Sequence, residues 1–371
     1  MQPTIALSIN SAWNIVNFRA GLIRRLQEAG YRVVAIAPSD DAVERLNAMG
    51  VRHVPIAMDA MGSSPLRDAL LLVEYWRILR RMRPAAFLGW TVKPNVYGSL
   101  AAQALGIPVI NNVSGLGTAF IRRTLLTSIV SQLYRLAFRR SATVFFQNDE
   151  DQQLFLAERL APAGRTALLP GSGIDLARFA PALEERGEDA PFTFLLVARL
   201  LRDKGIVEYV EAARMVRTAG RAVRFQLLGF LDVANRSAVS RAEVEAWQAE
   251  GVIEYLGHAD DVRPFLHTAD CVVLPSYREG MPRTLLEAAA LAKPLIATDV
   301  PGCREIARAG RNAIMAKVAD ARSLADAMLA MLDLPPERRR ELGRQGRRIA
   351  EEEFDERFVA DRYLDALRRA L

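Results

Sequence analysis

Glu279 and Glu287 stand eight residues apart in Tyr277-Arg-Glu-Gly-Met-Pro-Arg-Thr-Leu-Leu-Glu287, directly after the apolar run Cys271–Pro275. A short, continuous apolar run of this kind reads as a buried strand. Glu279 then falls in the loop beyond the strand's C-terminal end, and Glu287 about one turn into the following helix. Gly280-Met281-Pro282 turns the backbone into a helix start near Arg283–Thr284. Pro282 is close to the first helical position, where a missing N–H costs least. Free N–H groups at that start, with the positive end of the helix dipole, suit an anion such as a diphosphate. A carboxylate at each end of such a nest accepts hydrogen bonds from sugar hydroxyls. The same residues also fit a plain βα loop with surface glutamates, and both readings stand on chemistry alone.

A second group follows the apolar run Phe192–Ala198, in Arg199-Leu-Leu-Arg-Asp-Lys204-Gly205. Arginine offers phosphate a planar bidentate fork, and lysine a compact point charge. The chain has four lysines beside 45 arginines, so a lysine here is more informative than usual. Solvated surface charge is the competing account. Gly115 and Gly117, in Val113-Ser-Gly115-Leu-Gly117-Thr118, follow the strand-like Pro108–Val113 and allow close approach of backbone to a ligand. Phe120 replaces the third glycine of a dinucleotide fingerprint, so that motif is absent. Asn14 and Asn17 lie in a polar first loop, Asn10-Ser-Ala-Trp13-Asn14-Ile-Val-Asn17, and also suit a helix cap.

Elements must hold these residues at one edge. Short apolar runs alternate with helical periodicity: Thr4–Ile9, Arg32–Ala37, Phe87–Gly89, Pro108–Val113, Thr143–Gln147 and Thr166–Leu169 as strands, Phe18–Ala29 and Asp41–Met49 as helices. The rhythm predicts a parallel sheet with helices on both faces. Residues 181–191, Pro-Ala-Leu-Glu-Glu-Arg-Gly-Glu-Asp-Ala-Pro, read as a linker. A second series then starts with Phe192–Ala198, Arg224–Leu228, Ile253–Leu256, Cys271–Pro275 and Pro294–Thr298 as strands, and Gly205–Arg217 and Thr284–Leu291 as helices. The fold expected is α/β, two doubly wound Rossmann-like domains facing a central cleft, with ligands at the C-terminal ends of the strands. The domains expected are 1–180 and 181–355, the last helix, 356–371, packing back on the first.

The length of 371 residues, 51% hydrophobic and 25% charged, describes an ordinary globular protein and excludes disordered or disulfide-stapled classes. Cys271 and Cys303, 32 residues apart, match no metal spacing, and three histidines (His53, His258, His267) build no triad. Residues 1–10 lack the pattern of a signal peptide. Residues 94–121 are uncharged but broken by Pro, Gly and Asn, which argues against a spanning helix. Net charge is +6, and residues 1–175 carry 19 basic against 12 acidic side chains. Between Trp76 and Asn148 ten residues are basic and none acidic. Ile121–Arg140 has helical spacing with arginines at both ends, which suits an anionic lipid surface as well as an ordinary core helix. Aromatic interleaving and reader motifs for nucleic acid are lacking.

At Arg199…Lys204 and Glu279–Glu287 the chain resembles the retaining family 4 glycosyltransferases, whose B-type fold has two Rossmann-like domains. The resemblance runs over nearly the whole length and takes in the E-x7-E element EGMPRTLLE, VLPSYRE before it and AAALAKPLIATDVPGCREI after it. SGLGTAF, Lys93-Pro-Asn-Val-Tyr-Gly98 and PGCRE are similar to the bacterial subgroup acting on undecaprenyl-diphosphate-linked sugars, among them N-acetylgalactosaminyltransferases of glycan assembly. The resemblance implies that Glu279 binds donor-sugar hydroxyls and Glu287 the nucleotide ribose. Arg199 and Lys204 then neutralise the donor diphosphate and support its departure. Gly280, Met281, Pro282 and Arg283 supply backbone contacts, with Thr284 and Leu285 near diphosphate and ribose. Gly115, Gly117, Asn14, Asn17 and Lys93 fall on the acceptor side. Many members place a histidine at a strand end of the N-terminal domain; here that end reads Asn111-Asn112-Val113-Ser114, with Asn112 or Ser114 as the only substitute.

The activity expected is transfer of a hexosyl or N-acetylhexosaminyl unit from a UDP-sugar to a polyprenyl-diphosphate-linked sugar, with retention, in surface polysaccharide or glycoprotein glycan assembly. Asp260-Asp261 lacks the context of a D-x-D metal site, so no metal and no cofactor are expected, the UDP-sugar being a co-substrate. The partners expected are nucleotide sugar, lipid-linked acceptor and an anionic membrane surface, without nucleic acid, for a cytoplasmic protein peripheral on the inner face of the cell membrane. The alternatives are a nucleotide-sugar epimerase of the same fold and a non-enzymatic basic membrane-surface protein.

Overall fold

The computed structural model describes residues 2–59, 64–115, 125–182, 190–232, 235 and 237–371. Most of the expected linker (183–189), Gly117, Arg122 and Arg123 lie outside the described residues. The chain divides into two compact units, Met1–Gly173 with Glu356–Leu371, and Ile174–Asp355.

The first unit holds β1 (Thr4–Ser8), α1 (Ala12–Phe18), α2 (Ala20–Glu28), β2 (Arg32–Ala37), α3 (Val43–Ala48), β3 (Arg52–Pro55), α4 (Pro65–Met82) and β4 (Ala86–Trp90). A π-helical turn (Pro94–Gly98), α5 (Ser99–Ala104), β5 (Val109–Val113), α6 (Leu125–Phe138), β6 (Thr143–Phe146), α7 (Asp149–Ala157) and β7 (Thr166–Leu168) follow. Its seven strands run in the order β3-β2-β1-β4-β5-β6-β7, every pair parallel. Alternate side chains separate the two cores, as strand pleating requires. Ile5 and Leu7 of β1 bury with α2, while Ala6 points to the opposite face with Leu71, Tyr75 and Leu79 of α4.

The second unit holds β8 (Phe192–Val197), α8 (Ile206–Thr218), β9 (Val223–Leu228), α9 (Arg241–Ala249), β10 (Glu254–Tyr255), α10 (Arg263–Thr268), β11 (Cys271–Leu274), α11 (Arg283–Ala290), β12 (Leu295–Thr298), α12 (Cys303–Ile306), β13 (Ala313–Ala316), α13 (Ala321–Asp333) and α14 (Pro336–Glu353). Its strand order, β10-β9-β8-β11-β12-β13, is again wholly parallel. Both sheets have the Rossmann order, reversing between β1 and β4 in one unit and between β8 and β11 in the other. Ligands of open α/β sheets bind beyond the strand ends at that reversal.

The last helix, α15 (Glu356–Ala370), belongs to the first unit, where Val359, Tyr363, Leu364 and Leu367 join the core around β1 and β4. Several local expectations are corrected. The helix expected over Phe18–Ala29 is α2 and begins at Ala20, because Arg19, with a φ of −129° and a ψ of 6°, separates it from α1, a helix not anticipated. The cap of α1 is Ser11, whose Oγ accepts from the Asn14 N–H at 3.1 Å, so Asn14 and Asn17 stand inside the helix. The charged segment 336–353 is one helix: Glu337–Arg340, Glu341–Arg344 and Arg347–Glu351 pair at i,i+3 or i,i+4 on its outer face, and Leu342, Ile349 and Ala350 bury on its inner one.

Candidate functional site

The loops after β8 and β11 are fastened to each other before any charged group is placed. The Tyr277 N–H donates to the Asp203 carbonyl at 2.9 Å, and Thr284 Oγ1 donates to the Val197 carbonyl at 2.9 Å. Gly205 has a φ of +73°, and a Cβ there would lie 2.2 Å from the Pro275 carbonyl oxygen. Only glycine satisfies both the left-handed backbone and that approach. Gly302, with φ +78°, plays the same part behind the next loop, where a Cβ would sit 2.4 Å from the Gly280 oxygen.

On this frame Lys204 and Glu279 meet. Lys204 Nζ donates to Glu279 Oε1 at 2.5 Å, and Ser276 Oγ donates to the same oxygen at 2.7 Å. The side chains are 19% and 14% exposed, so the pair is shielded yet reachable. Glu279 Oε2 makes no hydrogen bond among the described residues and is open to a ligand. Thr298 Oγ1 donates to the Ser276 carbonyl at 2.5 Å and fixes the residue that orients the carboxylate. Tyr277 donates to Glu208 Oε1 at 2.6 Å; burial and that carboxylate push its phenol up to about 12, so it stays neutral. Arg199 is exposed and makes no ion pair among the described residues.

The helix α11 begins after Pro282 with no side-chain cap, so its first turn, at Thr284 and Leu285, presents backbone N–H groups to an external acceptor. Glu287, one turn in, is 8% exposed. Arg283 Nε donates to its Oε1 at 2.8 Å. A group of this kind, one lysine–glutamate ion pair, one exposed arginine and one uncapped helix start, can bind a diphosphate and stabilise charge that grows on it. Among the described residues no three His, Cys, Asp or Glu side chains are grouped to hold a metal ion. A shallow cavity of about 540 Å³ lined by Ala309, Gly310, Arg311, Arg338 and Gln345 precedes β13, away from these strand ends, and its lining holds none of these groups.

In the first unit, Ser8 of β1 pairs with Gly89 of β4, so Asn10 and Thr91 stand two residues beyond that pair. Asn10 Oδ1 and Asn14 Oδ1 are buried acceptors without a partner among the described residues, and Thr91 holds a φ of +59°, rare for a β-branched residue. Asn10 opens the polar first loop noted in the sequence, whereas Thr91 is marked only by its register. Asn17 bonds back to the Trp13 carbonyl at 2.9 Å. Asn112 is 1% exposed: its amide donates to Tyr363 at 3.0 Å and its Oδ1 accepts from Ser114 at 2.9 Å. Asn112 therefore cannot substitute for a substrate-facing histidine. Gly115 adopts φ +120°.

Lys93 is paired with Asp68 of α4 at 2.8 Å, and Tyr97 donates to the same carboxylate at 3.0 Å. One of the ten basic residues is thus neutralised from outside the acid-free run. In exchange α4 supplies a feature that sequence reading missed. Leu66, Leu70 and Val73, at 73%, 62% and 43% exposure, form a row one helical face wide that continues into exposed Arg77, Arg80 and Arg81. On α6, Ile129 and Leu136 are exposed beside Arg135, Arg139 and Arg140. Both helices pack on the π-helical turn and α5, on one face of the sheet. Among the described residues no helix is long and apolar enough to cross a membrane.

Two Rossmann-type units, the second with a cationic pole at its strand reversal, define a B-type glycosyltransferase. Two family models match, "Glycosyl transferase 4-like domain" over residues 15–172 and "Glycosyl transferases group 1" over residues 191–333. The chain belongs to the retaining family 4 glycosyltransferases. It is 26% identical to the N,N'-diacetylbacillosaminyl-diphospho-undecaprenol alpha-1,3-N-acetylgalactosaminyltransferase of Campylobacter jejuni, over 96% of each chain. It is 22% identical to the UDP-Gal:alpha-D-GlcNAc-diphosphoundecaprenol alpha-1,3-galactosyltransferase of Escherichia coli, over 73% of this chain and 72% of that one. In structure it is similar to Anabaena HepE, solved with UDP and glucose, with a TM-score of 0.79, 17% identity and 98% and 99% of the two chains covered.

Proposed function

We propose that the protein transfers a hexosyl or N-acetylhexosaminyl unit from a UDP-sugar to a sugar carried on polyprenyl diphosphate, with retention of configuration, in surface polysaccharide or glycoprotein glycan assembly. The observation that carries this reading is the Lys204–Glu279 pair beside the uncapped start of α11, at the strand reversal of the second sheet. In this reading Glu279 Oε2 accepts from the donor-sugar hydroxyls and Glu287 from the ribose. Met281 and Pro282 contribute backbone to the same wall. Lys204, Arg199 and the first-turn N–H groups take the charge of the departing UDP, a preorganised electrostatic contribution. The 174–355 unit is then the nucleotide-sugar side, and the unit of β1–β7 with α15 the acceptor side, with Asn14, Asn17, Gly115 and Gly117 near the lipid-linked sugar. The two relatives named above act on undecaprenyl-diphosphate-linked sugars by their names, which supports the acceptor class.

The test is a panel of UDP-, GDP- and ADP-sugars with short polyprenyl-diphosphate-sugar acceptors, with product linkage determined. Conversion of a UDP-sugar only when acceptor is present, to an α-linked product, is the expected outcome. Conversion of the donor without acceptor makes the protein an epimerase and overturns the proposal.

The row Leu66-Leu70-Val73 leading into Arg77, Arg80 and Arg81 fits an anionic membrane surface, apolar residues entering the interface and arginines facing head groups. Sedimentation with vesicles containing phosphatidylglycerol is expected to capture the protein at low salt and release it as salt rises. A variant with Arg77, Arg80 and Arg81 changed to glutamate is expected to stay in the supernatant. Equal binding to neutral vesicles counts against the surface.

A further inference from the structure

We propose that Arg283 is a positioning residue for Glu287, holding the buried carboxylate charged and aimed so that binding of the donor nucleotide does not vary with pH near neutrality. The inference rests on the reading of Glu287 as the ribose ligand.

The geometry gives Arg283 this part. Glu287 lies on α11 with 11% of its side chain exposed, and a charged carboxylate so placed is costly without a partner. Arg283, one turn earlier, reaches it with Nε at 2.8 Å. The guanidinium also lies over the ring of Phe179, 5.9 Å from its centroid, and Phe179 is 4% exposed. Arg178 lies over that same ring at 5.7 Å. The arginine head is therefore seated between an aromatic face and the carboxylate, which fixes the position of both charged groups.

Three charged groups act on Glu287: Arg283 from its own helix, Arg178 from the segment after Ile174, and Asp261 from the loop before α10. Burial is the largest influence and leaves the Glu287 carboxyl above its ordinary range; Arg283 foremost, then Arg178, limits the rise, and Asp261 adds to it. Asp261 is itself held by Arg263, with Nε at 2.8 Å and Nη2 at 2.5 Å, which holds its carboxyl below the usual range. Without Arg283 the Glu287 carboxyl titrates at a higher pH. Its protonated form is a poorer acceptor for a sugar hydroxyl, so affinity falls as pH drops through that value and returns above it.

The test is calorimetric titration of UDP into the full chain across a series of buffers from mildly acid to mildly alkaline. Wild type is expected to bind almost evenly across the range. Arg283→Met is expected to bind about tenfold more weakly at the acid end, the difference between a charged and a neutral hydrogen-bond acceptor, and to approach wild type at the alkaline end. Arg283→Lys is expected to restore the even profile, because it keeps the cation. Glu287→Gln is expected to weaken UDP about tenfold at every pH, the loss of one charged hydrogen bond. An Arg283→Met loss that is equal at all pH, or no loss, overturns the positioning role while leaving Glu287 as ligand. Wild-type affinity in Glu287→Gln overturns the ribose reading beneath it.

Discussion

Glu279→Gln is expected to lower kcat/KM for the UDP-sugar by about 100- to 1,000-fold, the scale of one preorganised polar contact in a reacting centre. The carboxylate has two tasks on its two oxygens. Oε1 binds Lys204 at 2.5 Å and Ser276 at 2.7 Å, while Oε2 remains open for the donor. Glutamine keeps the shape but removes the charge that fixes Lys204, so the ammonium is no longer held where the diphosphate arrives. The loss should therefore fall on kcat as well as KM, because charge on the leaving group grows in the transition state. Steady-state kinetics with purified protein, matched donor and acceptor measure it. Turnover near wild type removes Glu279 from the site.

Gly205→Ala is expected to destabilise the second unit by about 3 kcal/mol or more, by adding left-handed strain for a residue with a Cβ to an overlap with backbone. The added carbon would meet the Pro275 oxygen at 2.2 Å, and neither atom belongs to a flexible side chain. For a unit of 150–250 residues that corresponds to a fall in Tm of about 6–12 °C, read by scanning calorimetry. UDP affinity should fall in the same variant, since Lys204 immediately precedes the strained residue. A Tm within about 2 °C of wild type, less than the shift for 1 kcal/mol, contradicts the close approach.

The sheets were legible because most of their strands are short, predominantly apolar runs: Arg32–Ala37 matches its expected bounds, and Phe192–Ala198 and Cys271–Pro275 each overrun by one residue. β3 was not, because Arg52-His53-Val54-Pro55 at the sheet's edge is only partly buried and has no apolar run. The helix break at Arg19 was hidden because Leu22, Ile23 and Leu26 keep a helical period on one side of it. In the donor half the spacing of Glu279 and Glu287 already placed them, one in a loop and one about a turn into the following helix. Their partners were not legible: Lys204 and Glu279 are 75 residues apart, and only the β8–β11 pairing brings them together. Lys93 looked like an unpaired cation because Asp68, 25 residues earlier, lies on α4, a helix not anticipated from sequence. Thr284 shows the converse, a residue expected near a ligand that also ties α11 to β8.

The return of α15 to the first unit sets a timetable for synthesis. Tyr363 fills the space beside Trp90 and Phe145, with ring centroids 5.6 Å and 5.0 Å away, and accepts from Asn112. A nascent chain that has emerged through Gly173 has every strand of its first sheet but not this helix. The residues from Ile174 to Asp355 must be translated before the first core can close, which at ribosomal speed is about 10–40 s. During that interval the apolar surface around Trp90 and Phe145 waits uncovered, while the second unit, contiguous in sequence, can finish folding on its own. The unit begun first is completed last.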